Sequence, residues 1–105
     1  MRLAFLGSPP FAVRCFEHLC SSSFRPAVLV TQPDRRSGRG RRARENPLAA
    51  IAARHQVPWI PCPDASEPGF LAALAAHEPD WVVVVSFGQI LKRAFLELPA
   101  HGCLN

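Results

Sequence analysis

The run Trp81-Val82-Val83-Val84-Val85 constrains this chain more than any other stretch. Successive β-branched residues favour an extended backbone. A strand with one wet face alternates apolar and polar residues, and this one does not. Both of its faces are therefore expected to be covered, as in a parallel sheet flanked by helices. Parallel neighbours cannot be joined by tight hairpins, so the rest of the chain should supply crossover helices.

It does. Residues 2–6 (RLAFL) form a short apolar run that ends in GSPP, the pattern of a buried strand running into a tight loop. Pro10 can occupy the first turn of a helix, with Ala12, Cys15, Phe16 and Leu19 as its apolar stripe. Residues 27–31 (AVLVT) read as a second strand, stopped by Pro33. Asn46 is a good N-cap, followed by Pro47, with Leu48, Ile51 and Ala52 facing inward. Residues 57–61 (VPWIP) give a third strand, and Ser66 is expected to cap a helix with Phe70, Leu71 and Leu74 inward. Strands alternating with helices in this way predict an α/β fold, a Rossmann-like doubly wound parallel sheet. Ligands in such sheets bind at the carboxyl ends of strands. That directs attention to GSPPF, TQPDRR and SFGQIL, the loops after the first, second and fourth strands.

At 105 residues the chain is long enough for one domain with a single core, and at 49% apolar it is not a disordered tail. No run approaches the roughly 20 apolar residues of a membrane span. LAFLGSPPFAV is interrupted by Gly7, Pro9 and Pro10, and lacks the basic and apolar regions of a signal peptide, so a cytoplasmic location is expected. Cys15, Cys20, Cys62 and Cys103 form no paired ligand spacing, which argues against zinc. Cys15 and Cys20 are read as small buried hydrophobes rather than a disulfide.

The charge is unevenly placed. Residues 35–44 (RRSGRGRRAR) hold six arginines and no acid, while the other 95 residues hold six basic and eight acidic side chains. The domain is mildly acidic and carries a basic appendage. A solvated loop is one account of the block, but a neutral linker would avoid the self-repulsion of six arginines. The composition favours phosphate binding, with glycines letting the backbone approach and guanidiniums forking onto oxygens.

Other chemistries fit poorly. GSPPFA lacks the glycines of a dinucleotide fingerprint, and its prolines remove N–H groups that would hold a pyrophosphate. No phosphate-cradling P-loop is present. His18, His55, His77 and His101 are scattered, and none pairs in sequence with a nucleophile and an orienting acid. In SFGQIL, Gly88 would let a flat heterocycle lie against the backbone, with Ile90 and Leu91 as apolar walls. A core-capping turn fits that spacing equally well.

Taken together, GSPPFA, TQPDRRSGRGRR, VVVVSFGQIL and GCLN, in this order and at these separations, resemble the N-terminal part of the methionyl-tRNA formyltransferase family. The likeness covers the whole chain, and PDRxxGRG followed by two basic residues is its most specific element. It implies formyl transfer from the cosubstrate 10-formyltetrahydrofolate to the amino group of initiator methionyl-tRNA. It implies no metal, membrane or DNA, and a monomer at full length. Residues Arg35, Arg36, Arg39, Arg41, Arg42 and Arg44 would meet the tRNA, Arg39, Arg41 and Arg42 foremost. The folate pocket would map onto Ser86, Phe87, Gly88, Gln89, Ile90 and Leu91, and an aminoacyl pocket onto Phe11. Asn105 matches the family's catalytic asparagine.

Three departures from the family pattern stand out. Phe87 replaces a frequent tyrosine, and ENPLAA replaces a proline-rich approach to the second helix. The chain also stops at Asn105, before the family's histidine, Ser-Leu-Leu-Pro loop, later aspartate and C-terminal tRNA-binding domain. Residues 1–105 therefore read as an incomplete catalytic domain, with the basic loop inserted after its second strand. The polypeptide alone is expected to be inactive. A fifth strand beginning near Cys103 would leave an unpaired edge beside the apolar fourth. Two other functions fit less of the sequence: a formyltransferase for a sugar nucleotide or other small amine, and a small non-enzymatic RNA-binding module.

Overall fold

The computed structural model describes residues 1–33 and 46–105. The arginine block 35–44 lies outside the described residues. Strand β1 (Leu3–Gly7) leads into helix α1 (Phe11–Cys20), then β2 (Val28–Thr31), α2 (Pro47–Arg54) and β3 (Trp59–Pro61). Helix α3 (Pro68–Ala75), β4 (Trp81–Val85), the short α4 (Arg93–Leu96) and β5 (Gly102–Leu104) complete the order. The five strands form one sheet in the order β3-β2-β1-β4-β5, and every pairing is parallel.

The layering follows from side-chain alternation along each strand. Ala4 and Leu6 of β1, Val28 and Val30 of β2, and Val82 and Val84 of β4 share one face with Phe70, Leu74 and Phe95 of α3 and α4. Phe5 and Leu29 point the other way, into Ala12, Phe16 and Cys20 of α1 and Leu48, Ile51 and Ala52 of α2. The rings of Phe5 and Phe16 lie 5.1 Å apart, and those of Phe70 and Phe95 stack at 6.3 Å. Right-handed crossovers put α1 and α2 on one side while the chain moves outward from β1, and α3 and α4 on the other after it jumps back to β4. The strand order thus reverses between β1 and β4.

Several expectations need correction. The fourth strand is not sealed on both faces: Val82 and Val84 are buried, but Trp81, Val83 and Val85 are only half-buried. They face the α1 side, where Val83 and Val85 are only partly covered by the core that α1 and α2 build. This leaves a groove of about 260 Å³ whose lining includes Met1, Phe24, Trp81 and Leu104. Nor is β4 an edge, because β5 pairs with it through Val82–Cys103 and Val83–Leu104. The cap of α3 is Glu67, whose carboxylate accepts from the N–H groups of Gly69 (2.9 Å) and Phe70 (2.8 Å). Ser66 instead donates its hydroxyl to Asp64 at 2.7 Å. Cys15 is exposed, whereas Cys20 is buried. The reason is geometric: at 100° per residue the buried arc of α1 is centred between Phe16 and Ala12 and reaches Cys20, leaving Cys15 at its edge. Asn46 caps α2 as expected, its Oδ1 accepting from Leu48 N at 2.9 Å.

Candidate functional site at the carboxyl edge of the sheet

Three strand-end loops converge where the sheet order reverses. The Ser8–Pro9, Thr31–Pro33 and Ser86–Gly88 segments, with Asn46, enclose an open cavity of about 500 Å³. Each segment has a local reason for its shape. Gly7 must be glycine because a Cβ there would come within 2.5 Å of Ala12 Cβ and 2.9 Å of the Val85 carbonyl oxygen. Gly88 has φ of +86°, a conformation that side chains disfavour, and Ser86 before it is at φ 53°. These two turns rotate the chain out of β4 and aim the Phe87 carbonyl back toward β1 and β2.

That carbonyl is the hub of the site. It accepts from Ser8 Oγ at 3.2 Å and from the side-chain amide Nε2 of Gln32. Gln32 is positioned by the residue before it: the buried Thr31 hydroxyl donates to the Gln32 carbonyl at 3.0 Å and accepts from Trp59 Nε1 at 2.8 Å. Gln89 ties in the remaining strand end. Its Oε1 accepts from Ala65 N at 2.8 Å, and its Nε2 donates to the carbonyls of Cys62 (3.1 Å) and Pro63 (3.2 Å). The loop after β4 is thereby bonded to the loops after β1, β2 and β3.

The described lining is uncharged: serines, a threonine, amides, prolines, Phe87 and Gly88. Such a surface orients a polar ligand by hydrogen bonds, and among the described residues it carries no group that shuttles a proton near neutrality. The nearby Cys62 is not an exception. Burial, with the Asp64 charge adding to it, pushes its thiol up to about 11, so it stays protonated. Among the described residues no cluster of three or more His, Cys, Asp or Glu could hold a metal ion. No described helix is long and apolar enough to cross a membrane.

Of the sequence-predicted site residues, the structure brings Ser86, Phe87 and Gly88 to the cavity. Phe87 does so although it is only 3% exposed and packs in the core. Gln89 is occupied in the clamp just described. Leu91 packs against the core on the α3 and α4 side, and Ile90 stands 87% exposed beyond the cavity. Neither forms its wall. Phe11 begins α1 at 78% exposure, also outside the lining. Asn105 follows the last residue of β5 on the same edge of the sheet, exposed and not in the lining. Sequence reasoning flagged the loops that hold Ser8 and Gln32, but not their shared bond to residue 87.

These features define a class: an open, doubly wound, Rossmann-like α/β protein whose crevice lies at the topological switch point, where such sheets hold ligands. The chain belongs to the formyl transferase family, whose sequence profile matches residues 1–105. The methionyl-tRNA formyltransferase of Thermotoga maritima is 40% identical over 105 residues, 100% of this chain and 34% of that protein. The methionyl-tRNA formyltransferase of Pseudomonas syringae is 38% identical over the same length, 33% of its own. The chain thus spans about a third of the length of these relatives. Among solved structures, glycinamide ribonucleotide transformylase 1 from Symbiobacterium toebii superposes with a TM-score of 0.67 at 18% identity, over 98% of this chain and 49% of that one. Phosphoribosylglycinamide formyltransferase from Bacillus halodurans gives a TM-score of 0.67 at 13% identity, over 98% and 54%. At these identities the two structures speak to the fold.

Proposed function

We propose that residues 1–105 form the N-terminal part of the catalytic domain of an enzyme that formylates methionyl-tRNA for translation initiation, with 10-formyltetrahydrofolate as donor. The observation that carries this reading is the identity of 37 to 40% with methionyl-tRNA formyltransferases, sustained along the chain. The substrate amine attacks the formyl carbon, a C–N bond forms and the carbonyl oxygen gains charge. The bond from that carbon to the donor's N10 then breaks, and tetrahydrofolate leaves with N10 carrying the proton that the amine gives up. The Asn105 side-chain amide donates to that oxygen, an interaction stronger in the transition state than in the ground state. The Ser86–Leu91 segment holds the donor, with Ser86, Phe87 and Gly88 at the cavity itself. Phe11 lies toward the aminoacyl group. The arginines of residues 35–44 meet tRNA phosphates, and such an enzyme works as a monomer in the cytoplasm, where tRNA is charged.

A second reading has one observation in its favour: the solved structures of matching fold include transformylases named for glycinamide ribonucleotide, a small acceptor. The arginines discriminate. In the full natural gene product, replacing Arg39, Arg41 and Arg42 with alanine lowers kcat/KM for methionyl-tRNA. It also flattens the slope of its logarithm against log salt by about 0.9 per lost phosphate contact. An enzyme for a small amine keeps its kcat/KM after the same replacements.

A further inference from the structure

The donor segment after β4 is held at a single atom from two other strands. The Phe87 carbonyl oxygen accepts from Ser8, after β1, and from Gln32, after β2. Gln32 does more than bond to it. A Cβ built at Gly88 would lie 2.8 Å from Gln32 Nε2, so the amide also rests against the backbone of the next residue. It therefore bears on the peptide unit that joins Phe87 to Gly88, within a segment where Ser86 and Gly88 both have positive φ. The chemistry of the contact is one-sided. Only the amide nitrogen can face a carbonyl oxygen, because an oxygen in its place would repel it. Gln32 is itself held by its own backbone, through Thr31 Oγ1 and Trp59 Nε1.

We propose that Gln32 is a positioning residue for donor binding: it acts through the Phe87 carbonyl to hold Ser86–Gly88 in the conformation that shapes the crevice. The inference rests on the reading of residues 86–91 as the donor segment. Gln32 is not a catalytic residue here, since its bond goes to the protein's own backbone.

The test is steady-state kinetics of the full natural gene product with 10-formyltetrahydrofolate varied, comparing the wild type with Gln32→Leu and Gln32→Glu. Leucine removes the donor, and glutamate keeps the shape while turning an acceptor toward the Phe87 carbonyl. Both raise the donor KM about tenfold, glutamate the more severely, as expected when a part-buried acceptor loses one of its two donors. The kcat and the acceptor KM stay within about threefold, the signature of lost ground-state binding. Ser8→Ala, which removes the second donor to the same oxygen, shifts the donor KM in the same direction and serves if a Gln32 variant does not fold. An unchanged donor KM in the folded variants overturns the proposal, as does an equal loss in kcat and in the KM of both substrates. A wild-type protein that does not use the folate donor at all instead removes the donor-site reading.

Discussion

The side-chain oxygen of Gln89 accepts a hydrogen bond from the backbone N–H of Ala65 at 2.8 Å, joining the loop after β4 to the turn that starts α3. The same amide donates to the Cys62 and Pro63 carbonyls, so one side chain satisfies three backbone groups that belong to no helix or strand ladder. Without it these groups must find water or remain unpaired.

Gln89→Leu is therefore expected to destabilise the fold by about 1–2 kcal/mol. In the full natural gene product that loss lowers the thermal midpoint. Circular dichroism melting checks it. A midpoint equal to the wild type would mean that the three bonds are exchanged for water at no cost.

Gly7→Ala tests the close approach of β1 to α1 and β4. The new methyl meets Ala12 Cβ and the Val85 backbone oxygen, neither of which is the end of a flexible side chain. Overpacking of this kind costs about 1–3 kcal/mol, readable as a lower urea midpoint. An unshifted midpoint would contradict the packing described for the first loop.

The cysteines make a prediction with a pH sign. The folded chain holds the Cys62 proton more tightly than the unfolded chain does. That contribution to stability is complete below the ordinary thiol value of 9.0 and is lost as pH rises from there toward about 11. Burial raises the Cys20 and Cys103 thiols in the same direction. Iodoacetamide at about pH 8 should label the exposed Cys15 first and Cys62 only on unfolding. Mass spectrometry reads the order, and equal rates at Cys15 and Cys62 would contradict the burial.

Much of this architecture was legible in the sequence, because strands buried in a parallel sheet announce themselves as apolar runs cut by Gly and Pro. The run 81–85 is β4 at both ends, and 27–31 overshoots β2 by one residue. VPWIP starts its strand too early, because Val57 is buried as a core residue of the loop rather than as part of the ladder. Local rules failed where two candidates compete over a short distance. Ser66 and Glu67 can both cap, and Glu67 does so because its longer carboxylate reaches two N–H groups from beside Pro68. The four-residue α4 is too short to show a period, although its Phe95 is almost fully buried. The site was half legible. Its loops follow from the strand order, but the bonds at Phe87 join residues 55 and 79 positions apart, which no local pattern encodes.

The most direct measurement is formyl transfer itself. The full natural gene product, incubated with 10-formyltetrahydrofolate and methionyl-tRNA, should yield formylmethionyl-tRNA. Asn105→Ala should lower kcat about 100- to 1000-fold while leaving the KM for tRNA nearly unchanged, as befits the loss of one oxyanion donor. No transfer by the wild type, or an Asn105→Ala variant as fast as the wild type, would contradict the account.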